Sequence, residues 1–492
     1  MNITEAVWIG IDVGTQSIRA IAADDTGSVL ATSTKPLLSS QRAGPEHVQD
    51  PEEWWGAVCA SCQEIMSEVP AHTVGAIAVD ATSGTVLLTD NNLRPVTEAL
   101  MYDDGRAEGE ARAIAEVGGA LWAEFGYRIQ PSWGLPKLLW LWHNRVRNTT
   151  GLRLTHQNDF IQNRLAGERI STDWSNTLKS GYDLLRQQWP HSVFEKLGLP
   201  DLIFPQVVPP GSLVGQVSRD GARQTGLPAG LPIIAGMTDG CAAQIAAGSV
   251  QRGNWNSVLG TTLVVKGVTE ERLHDPLGVV YSHRAPDRNW LPGGASSTGA
   301  GSIAKHFRRE NLDQLGSAAA TRGPSPAVVY PLHASGERFP FAAPQAQSFG
   351  LDKPRDEVEL YRAILQGVAF VERLSFDYLE LLGAPLSGVM SISGGAVRSS
   401  LWNQIRADVL GRTLTVPAVM EPAFGMAVLA SSHTSSLPNA AARMISSGST
   451  IEPALPFGKT YGETYCKLLR ELEGRGWLPS ELASYSVARI DV

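Results

Sequence analysis

One short pattern occurs twice in this chain, about half its length apart. Residues 7–11 and 18–22 have the apolar, β-branched composition of strands, and they flank a turn over residues 12–17. The pattern returns at residues 254–259 and 263–266, which flank the turn Gly260-Thr261-Thr262. Two copies at this distance predict a duplicated domain rather than a short-period solenoid.

Strand and helix patterns alternate between the two copies and after them. A buried strand is predicted over residues 74–79, and Asp50-Pro51 opens an amphipathic helix. A helix from Asp356 to about Leu382 comes before an apolar strand at 389–392. This alternation predicts an α/β fold with at least two domains.

The domain boundaries are placed from composition. A Pro- and Gly-rich stretch leads into a strand that ends near Gly236, which we take as the crossover between the halves. We expect an N-terminal domain over residues 1–236, a C-terminal domain over 237–435 and a helical appendix over 436–492.

Charge and cysteine content exclude several classes of function. The net charge of −8 gives no electrostatic reason to bind nucleic acid or an anionic membrane surface. The only cysteines are Cys59, Cys62, Cys241 and Cys466, too few for a disulfide scaffold, and they fit a reducing cytoplasm. Cys59 and Cys62 have metal-site spacing, but no second pair accompanies them, so we expect them to pack in a helix. A small-molecule substrate is the expected partner, and a homodimer is left open.

The first turn has the residues of a phosphate-binding loop. In Asp12-Val13-Gly14-Thr15-Gln16-Ser17, a glycine with positive φ would let backbone N–H groups converge on phosphate oxygens, and the hydroxyls add donors. The Asp12 carboxylate would repel phosphate unless a cation lies between, so Mg²⁺ is implied, with Asp12 as its ligand. An ordinary hairpin turn is the alternative.

Three further segments carry candidate chemistry. Gly260-Thr261-Thr262 could contact the far side of the same polyphosphate. Asp239 lies between glycines just after a strand and is the candidate general base, with a helix N-cap as an equally good alternative. Gly394-Gly395-Ala396 follows a strand and could pack against adenosine, although a turn without ligand explains it as well.

Taken together, these motifs resemble the FGGY carbohydrate kinases, a two-domain, actin-like (ribonuclease H-like), ATP-dependent family. The resemblance spans nearly the whole chain and includes segments 136–141, 172–175, 365–370 and 402–411. It implies duplicated ATPase domains with a cleft between them. It also implies that ATP with Mg²⁺ is the phosphate donor.

The resemblance also implies roles for single residues. Asp12, Gly14, Thr15, Gln16 and Ser17 would handle phosphates together with Gly260, Thr261 and Thr262. Gly394, Gly395, Ala396 and Asn403 would lie at adenosine. Asp239 would be the catalytic base, and the sugar contacts would come from Asp80, Ser83, Asp103 and Asp239.

The sugar itself is inferred from two positions. Thr82 and Ser83 stand where typical D-xylulokinases have Met and His, and the chain looks more like the plant and cyanobacterial D-ribulokinase branch of the family. We therefore expect phosphorylation of a ketopentose, with D-ribulose first and D-xylulose, another ketose or a polyol as alternatives. An alternative of another class is an actin-like ATP-dependent switch without a sugar acceptor.

Overall fold

The computed structural model describes residues 6–146 and 151–490, which form two compact units. The first unit comprises Met1–Gly248, His283–Asn289 and Val419–Ser446. The second comprises Ser249–Ser282, Trp290–Ala418 and Ser447–Val492.

The strands of both units are numbered here in chain order. They are β1 (Val7–Val13), β2 (Ser17–Asp24), β3 (Val29–Pro36), β4 (Gln41–Ala43), β5 (Glu46–Gln49), β6 (Val74–Ala81), β7 (Val86–Thr89), β8 (Ala99–Leu100), β9 (Arg153–His156), β10 (Thr172–Asp173), β11 (Val207–Val208), β12 (Leu213–Gln216), β13 (Pro232–Ile234), β14 (Trp255–Leu259), β15 (Leu263–Gly267), β16 (Tyr281–Arg284), β17 (Trp290–Ala295), β18 (Val328–Tyr330), β19 (Phe349–Leu351), β20 (Met390–Ser393), β21 (Leu414–Pro417) and β22 (Ser447–Ile451).

The α-helices are numbered in the same way. They are α1 (Pro51–Glu68), α2 (Glu108–Phe125), α3 (Gly134–Asn144), α4 (Gln157–Ala166), α5 (Trp174–Thr177), α6 (His191–Lys196), α7 (Arg219–Thr225), α8 (Asp239–Ala246), α9 (Leu312–Ala320), α10 (Glu357–Leu381), α11 (Ser400–Leu410), α12 (Pro422–Ser432), α13 (Leu437–Met444), α14 (Phe457–Gly474) and α15 (Ser480–Ala488).

A six-stranded mixed sheet forms the centre of the first unit, in the order β12-β13-β6-β1-β2-β3. β1 pairs antiparallel with β2 and parallel with β6, and β13 is parallel to β6. All seven residues of β1 are buried, as expected for a strand covered on both faces. The predicted meander and the predicted strand at 74–79 are confirmed.

The sheet of the second unit repeats this arrangement. Its order is β16-β17-β15-β14-β20-β21-β22. β14 pairs antiparallel with β15 and parallel with β20, as β1 does with β2 and β6, and β21 is parallel to β20 as β13 is to β6. The predicted duplication and α/β fold are thus confirmed by matching strand order and direction.

The compact units differ from the predicted domain spans at three places. Residues 237–248, 283–289 and 419–446 belong to the first unit, whereas we placed the boundary near Gly236 and an appendix from residue 436. The cause is long-range packing: α12 packs on β1, β6 and α8. A Cβ atom at Gly10 of β1 would lie 1.8 Å from the carbonyl oxygen of Ala423, so the helix lies directly on the strand.

Two helices follow the prediction closely. α1 is capped by the Asp50 side chain, which accepts a hydrogen bond from the Glu52 N–H, and Cys62 is fully buried in the core beneath it. Burial raises the pKa of the Cys59 thiol to about 11, so the packing interpretation of the cysteine pair fits. α10 starts after Asp356, whose side chain accepts from the Glu359 N–H.

Candidate active site

Three aspartates lie at the ends of neighbouring parallel strands in the first unit. Asp12 and Asp80 are directly opposite each other in the register of β1 and β6. Asp239 begins α8 just after β13, where Thr238 forms a parallel bridge with Ala81. Open α/β sheets bind ligands at the carboxyl ends of such strands. The fold therefore brings the predicted metal ligand, a predicted sugar residue and the predicted base to one edge of the sheet.

Two of these carboxyl groups are buried against each other. Burial raises the pKa of Asp80 well above its usual range, and the charges of Asp12 and Asp239 raise it further. Burial and the charge of Asp239 raise the pKa of Asp12 to about 6, while Asp80 and Arg19 oppose the shift. Among the described residues, no donor reaches either oxygen of Asp80. The contact between Asp12 and Asp80 therefore needs a shared proton or a cation.

This pair of carboxyl groups suits a hard cation. Mg²⁺ usually takes one or two protein carboxylates and completes its shell with water and substrate phosphates. Within the described part of the chain, no group of three or more His, Cys, Asp or Glu side chains is arranged to hold a metal alone. The residues present thus fit a cation that arrives with a phosphate ligand.

Asp239 is fixed by the first turn of α8. Its Oδ1 accepts a hydrogen bond of 2.7 Å from the Gly240 N–H. Thr238 occupies the N-cap position, so the N-cap alternative for Asp239 does not hold. A helix N-terminus favours the ionised carboxylate, the form that can accept a proton.

The turn after β1 is held through its carbonyl groups. Gln49 Nε2 donates to the Thr15 carbonyl at 2.7 Å, and the Leu37 N–H donates to the Gln16 carbonyl at 2.9 Å. The C=O and N–H of one trans peptide point in opposite directions. The next N–H groups along the turn, those of Gln16 and Ser17, are therefore aimed away from these donors.

Gly14 serves the turn in a different way from the one expected. Its φ lies outside the left-handed region, so the predicted positive φ is wrong. The Gly14 N–H donates to the Ser17 carbonyl at 3.1 Å, and a Cβ atom at Gly14 would stand 3.0 Å from that same oxygen. Close approach of backbone to backbone is the reason for glycine here.

Of the two residues that suggested the sugar, only Ser83 has a side chain left for a ligand. Thr82 Oγ1 is hydrogen-bonded to Gln157 and to Thr85, both at 2.6 Å, and is turned into the protein. Ser83 Oγ is buried with no partner among the described residues, and Lys179 Nζ donates to the Ser83 carbonyl at 3.1 Å.

Asp103 is a partly exposed carboxylate held on both oxygens. His47 Nδ1 contacts one oxygen at 2.5 Å, and Arg42 contacts the other at 2.7 Å. Burial works against its ionisation, yet these bonds hold the pKa of Asp103 below its ordinary value. Beside it, Lys137 Nζ donates to the Met101 carbonyl at 2.7 Å, and burial lowers the pKa of Lys137 to about 7.

The second unit contains a cavity of about 1130 Å³. The predicted phosphate residues Gly260 and Thr261 line it, and so do the predicted adenosine residues Gly395 and Ala396. Tyr361 adds an aromatic wall. This volume is large enough for a nucleotide, and the fold has brought two segments far apart in sequence to one cavity.

Gly394 and Asn403 are not among the residues that line this cavity. Gly394 has φ of 89°, and a Cβ atom there would lie 2.6 Å from the Leu259 carbonyl oxygen, so β14 and β20 end in close contact. Asn403 is 6% exposed, and its Nδ2 donates to the Val397 carbonyl at 2.8 Å. A direct contact of Asn403 with adenosine stays a prediction.

Comparison with known proteins agrees with this geometry. The model of the N-terminal domain of the FGGY family of carbohydrate kinases matches residues 7–246, and that of the C-terminal domain matches residues 255–433. The chain belongs to the FGGY family of carbohydrate kinases. It is therefore a phosphotransferase that uses ATP to phosphorylate an alcohol group of a small sugar substrate.

The relatives of this FGGY kinase are named for more than one sugar substrate. It is 28% identical to a xylulose kinase of Escherichia coli (strain K12) over 86% of this chain and 89% of the relative. It is 24% identical to a gluconokinase of Bacillus subtilis (strain 168) over 84% of each chain. A solved xyloylose kinase from Brucella ovis shares the fold, with a TM-score of 0.86, 23% identity and coverage of 96% of this chain and 99% of that one.

Sequence reasoning missed the support of Asp103 in this kinase. No sequence pattern assigned a role to His47, which is 1% exposed; its Nε2 contacts Ser40 and its Nδ1 contacts Asp103. The alternation in β5, where His47 and Gln49 are both buried, is the signal that could have placed His47 on the inner face.

The described ranges, 6–146 and 151–490, contain no helix with the length and apolarity needed to cross a bilayer.

Proposed function

We propose that this FGGY kinase transfers the γ-phosphoryl group of ATP to a terminal hydroxyl of a ketopentose, converting D-ribulose to D-ribulose 5-phosphate. In this proposal Asp239 takes the proton of the attacking hydroxyl. Asp12 holds Mg²⁺, which offsets the charge of the phosphates. The sugar is oriented by Asp80, Ser83 and Asp103. A cytoplasmic location of the protein fits its four free cysteines. A homodimer stays a prediction.

The observation that carries this proposal is a group of buried oxygens at the end of β6 that lack a protein donor. The Asp80 carboxyl faces the Asp12 carboxyl, and among the described residues no donor reaches its oxygens, nor does Ser83 Oγ find a hydrogen-bond partner. Buried polar atoms are costly unless a partner satisfies them, and the hydroxyls of a sugar can both donate and accept.

Removing the Asp12 carboxylate should lower catalytic activity and change how stability depends on pH. We expect Asp12→Asn to lower kcat more than it changes KM for the sugar, because the phosphates lose their cation ligand. Since the folded pKa of Asp12 is raised from 3.8 to about 6, the ligand-free protein should lose stability as the pH rises through this window. In Asp12→Asn this decrease of stability with rising pH should be smaller.

Kinetics at saturating ATP, with thermal unfolding from pH 4 to 8, measure both effects. Asp24→Asn is the matched control, because Asp24 lies at the other end of β2 and its side chain accepts hydrogen bonds from Thr26 and Ser28 of its own turn. Full wild-type activity in excess chelator would refute the metal role of Asp12.

The sugar is tested by a panel of ketopentoses, pentitols and gluconate. We expect the highest kcat/KM for D-ribulose. Ser83→Ala should raise KM for the sugar by about 2- to 10-fold, the usual scale of one neutral hydrogen bond, and leave KM for ATP unchanged. Ser83→His should move the preference toward D-xylulose.

D-xylulose is the second candidate because several relatives are named xylulose kinases. A wild-type preference for D-xylulose would overturn the D-ribulose assignment and leave the kinase assignment in place. Equal ATP turnover with and without every sugar would instead favour the switch alternative. Thr85→Ala serves as control, because Thr85 is buried behind Thr82.

A further inference from the structure

A fully enclosed carboxylate lies in the second unit outside the residues assigned above. Glu337 is 2% exposed and accepts five hydrogen bonds. The donors are Ser296 Oγ at 3.0 Å, the Ser297 N–H at 2.6 Å, Thr298 Oγ1 at 3.3 Å, Tyr330 Oη at 2.9 Å and the Arg338 N–H at 2.9 Å. Burying a carboxylate is costly even when donors surround it, so a core built for stability alone would favour an apolar residue.

Three of the five donors belong to one stretch of chain, residues 296–301, which we call the bracing segment. Its later residues hold the turn between β14 and β15. The Ala300 N–H donates to the Gly260 carbonyl at 2.9 Å, and the Gly301 N–H donates to the Thr261 carbonyl at 3.0 Å. The bracing segment thus connects Glu337 to the candidate phosphate turn.

The connection is tight as well as continuous. The Leu263 N–H donates to the Thr298 carbonyl at 2.7 Å. A Cβ atom at Gly299 would lie 2.5 Å from Thr262 Cα, so the two backbones are in contact. A displacement of the bracing segment therefore moves the turn.

The hydrogen bonds to the turn also fix the direction of its N–H groups. In a trans peptide the C=O and N–H point in opposite directions. When the Gly260 and Thr261 carbonyls point toward the bracing segment, the N–H groups of Thr261 and Thr262 point away from it. Rotating either peptide would break one of these hydrogen bonds.

We propose that Glu337 is a positioning residue for the phosphates of ATP. It fixes the bracing segment, and this segment aims the N–H groups of the turn at the ligand. The inference rests on the proposed function, in which Gly260 to Thr262 bind phosphate. Glu337 itself touches no reacting atom.

Tyr330 provides a matched control within the same network. Its hydroxyl donates to the same carboxylate as Ser296 does, but it lies on β18 and outside the bracing segment. Tyr330→Phe removes one donor from Glu337 and leaves the bonds to the bracing segment in place. A purely structural role for Glu337 predicts similar effects of Glu337→Gln and Tyr330→Phe.

The experiment compares Glu337→Gln, Tyr330→Phe and the wild type in the full chain. We expect Glu337→Gln to raise KM for ATP by about 10- to 100-fold, the scale of a hydrogen bond to a charged group, with KM for the sugar within about twofold. Tyr330→Phe should leave KM for ATP within about twofold. Amide exchange in the ligand-free protein should become faster over residues 260–263 in Glu337→Gln and stay unchanged in Tyr330→Phe.

An unchanged KM for ATP in folded Glu337→Gln, or equally fast exchange of the turn in both variants, would overturn the proposal. If Glu337→Gln does not fold, Ser296→Ala replaces it. This change removes two hydrogen bonds of Ser296 Oγ, the one it donates to Glu337 and the one it accepts from the Thr298 N–H. Failure of the proposed function would look different: the wild type would prefer another sugar, or would turn over ATP equally with and without every sugar, while KM for ATP and the exchange data would still report on the bracing segment.

Discussion

Asp239→Asn is expected to lower kcat by about a hundred- to ten-thousand-fold, the usual scale for the loss of a general base. This corresponds to about 3 to 5 kcal/mol of transition-state stabilisation. The fold and sugar binding should persist, because an asparagine oxygen can still accept the hydrogen bond from the Gly240 N–H. What the variant loses is the ability to take a proton from the attacking hydroxyl.

The measurement combines steady-state kinetics with sugar titration and thermal unfolding. Asp220→Asn is the matched control, since Asp220 also lies in the first turn of a helix of the first unit and is exposed. Its kcat should equal that of the wild type. An Asp239→Asn enzyme that keeps more than about a tenth of wild-type kcat would remove Asp239 from the role of base.

Breaking the buried ion pair of the second unit should have the largest effect on stability. Arg406 and Glu372 are both fully buried, with 2.7 Å between Nε and Oε2, and Ser257 Oγ donates to the same carboxylate. Glu372→Gln leaves the Arg406 charge without its partner in the core. We expect a loss of about 3 to 5 kcal/mol in the free energy of unfolding.

Denaturant unfolding of the second unit, followed by amide exchange in α10 and α11, measures this loss. Glu463→Gln is the control, because Glu463 pairs with Lys467 on the exposed face of α14 and should cost less than about 1 kcal/mol. The double variant Glu372→Met, Arg406→Met should recover much of the stability, because no unpaired charge remains. A loss below about 1 kcal/mol in Glu372→Gln would contradict the prediction.

Local patterns were enough to predict the elements that carry the site. Each strand–turn–strand copy is a pattern of residues that are neighbours in the sequence, and the same is true of the helix starts at Asp50 and Asp356. Asp12, Asp80 and Asp239 each follow or end an apolar strand, so a parallel sheet brings them to one edge without further information.

Contacts between distant residues could not be predicted in this way. Nothing local to His47 indicates that its ring will meet Asp103, and nothing near Thr82 shows that Gln157 will draw its hydroxyl inward. The role of Gly14 depends on the position of the Ser17 carbonyl, which is set by the pairing of β1 with β2. Such features arise from packing, which a pattern in one stretch of chain does not record.

The first unit is completed by residues that the ribosome makes late. After Gly248, about 170 residues are synthesised before Val419–Ser446 supplies α12, and all of them except His283–Asn289 belong to the other unit. At about 5–20 residues per second this takes roughly 10–35 s. During that time the face of β1 around Gly10 has no helix to cover it. The nascent chain therefore offers an apolar surface to chaperones or proteases until translation is nearly finished, although its sheet strands were made first.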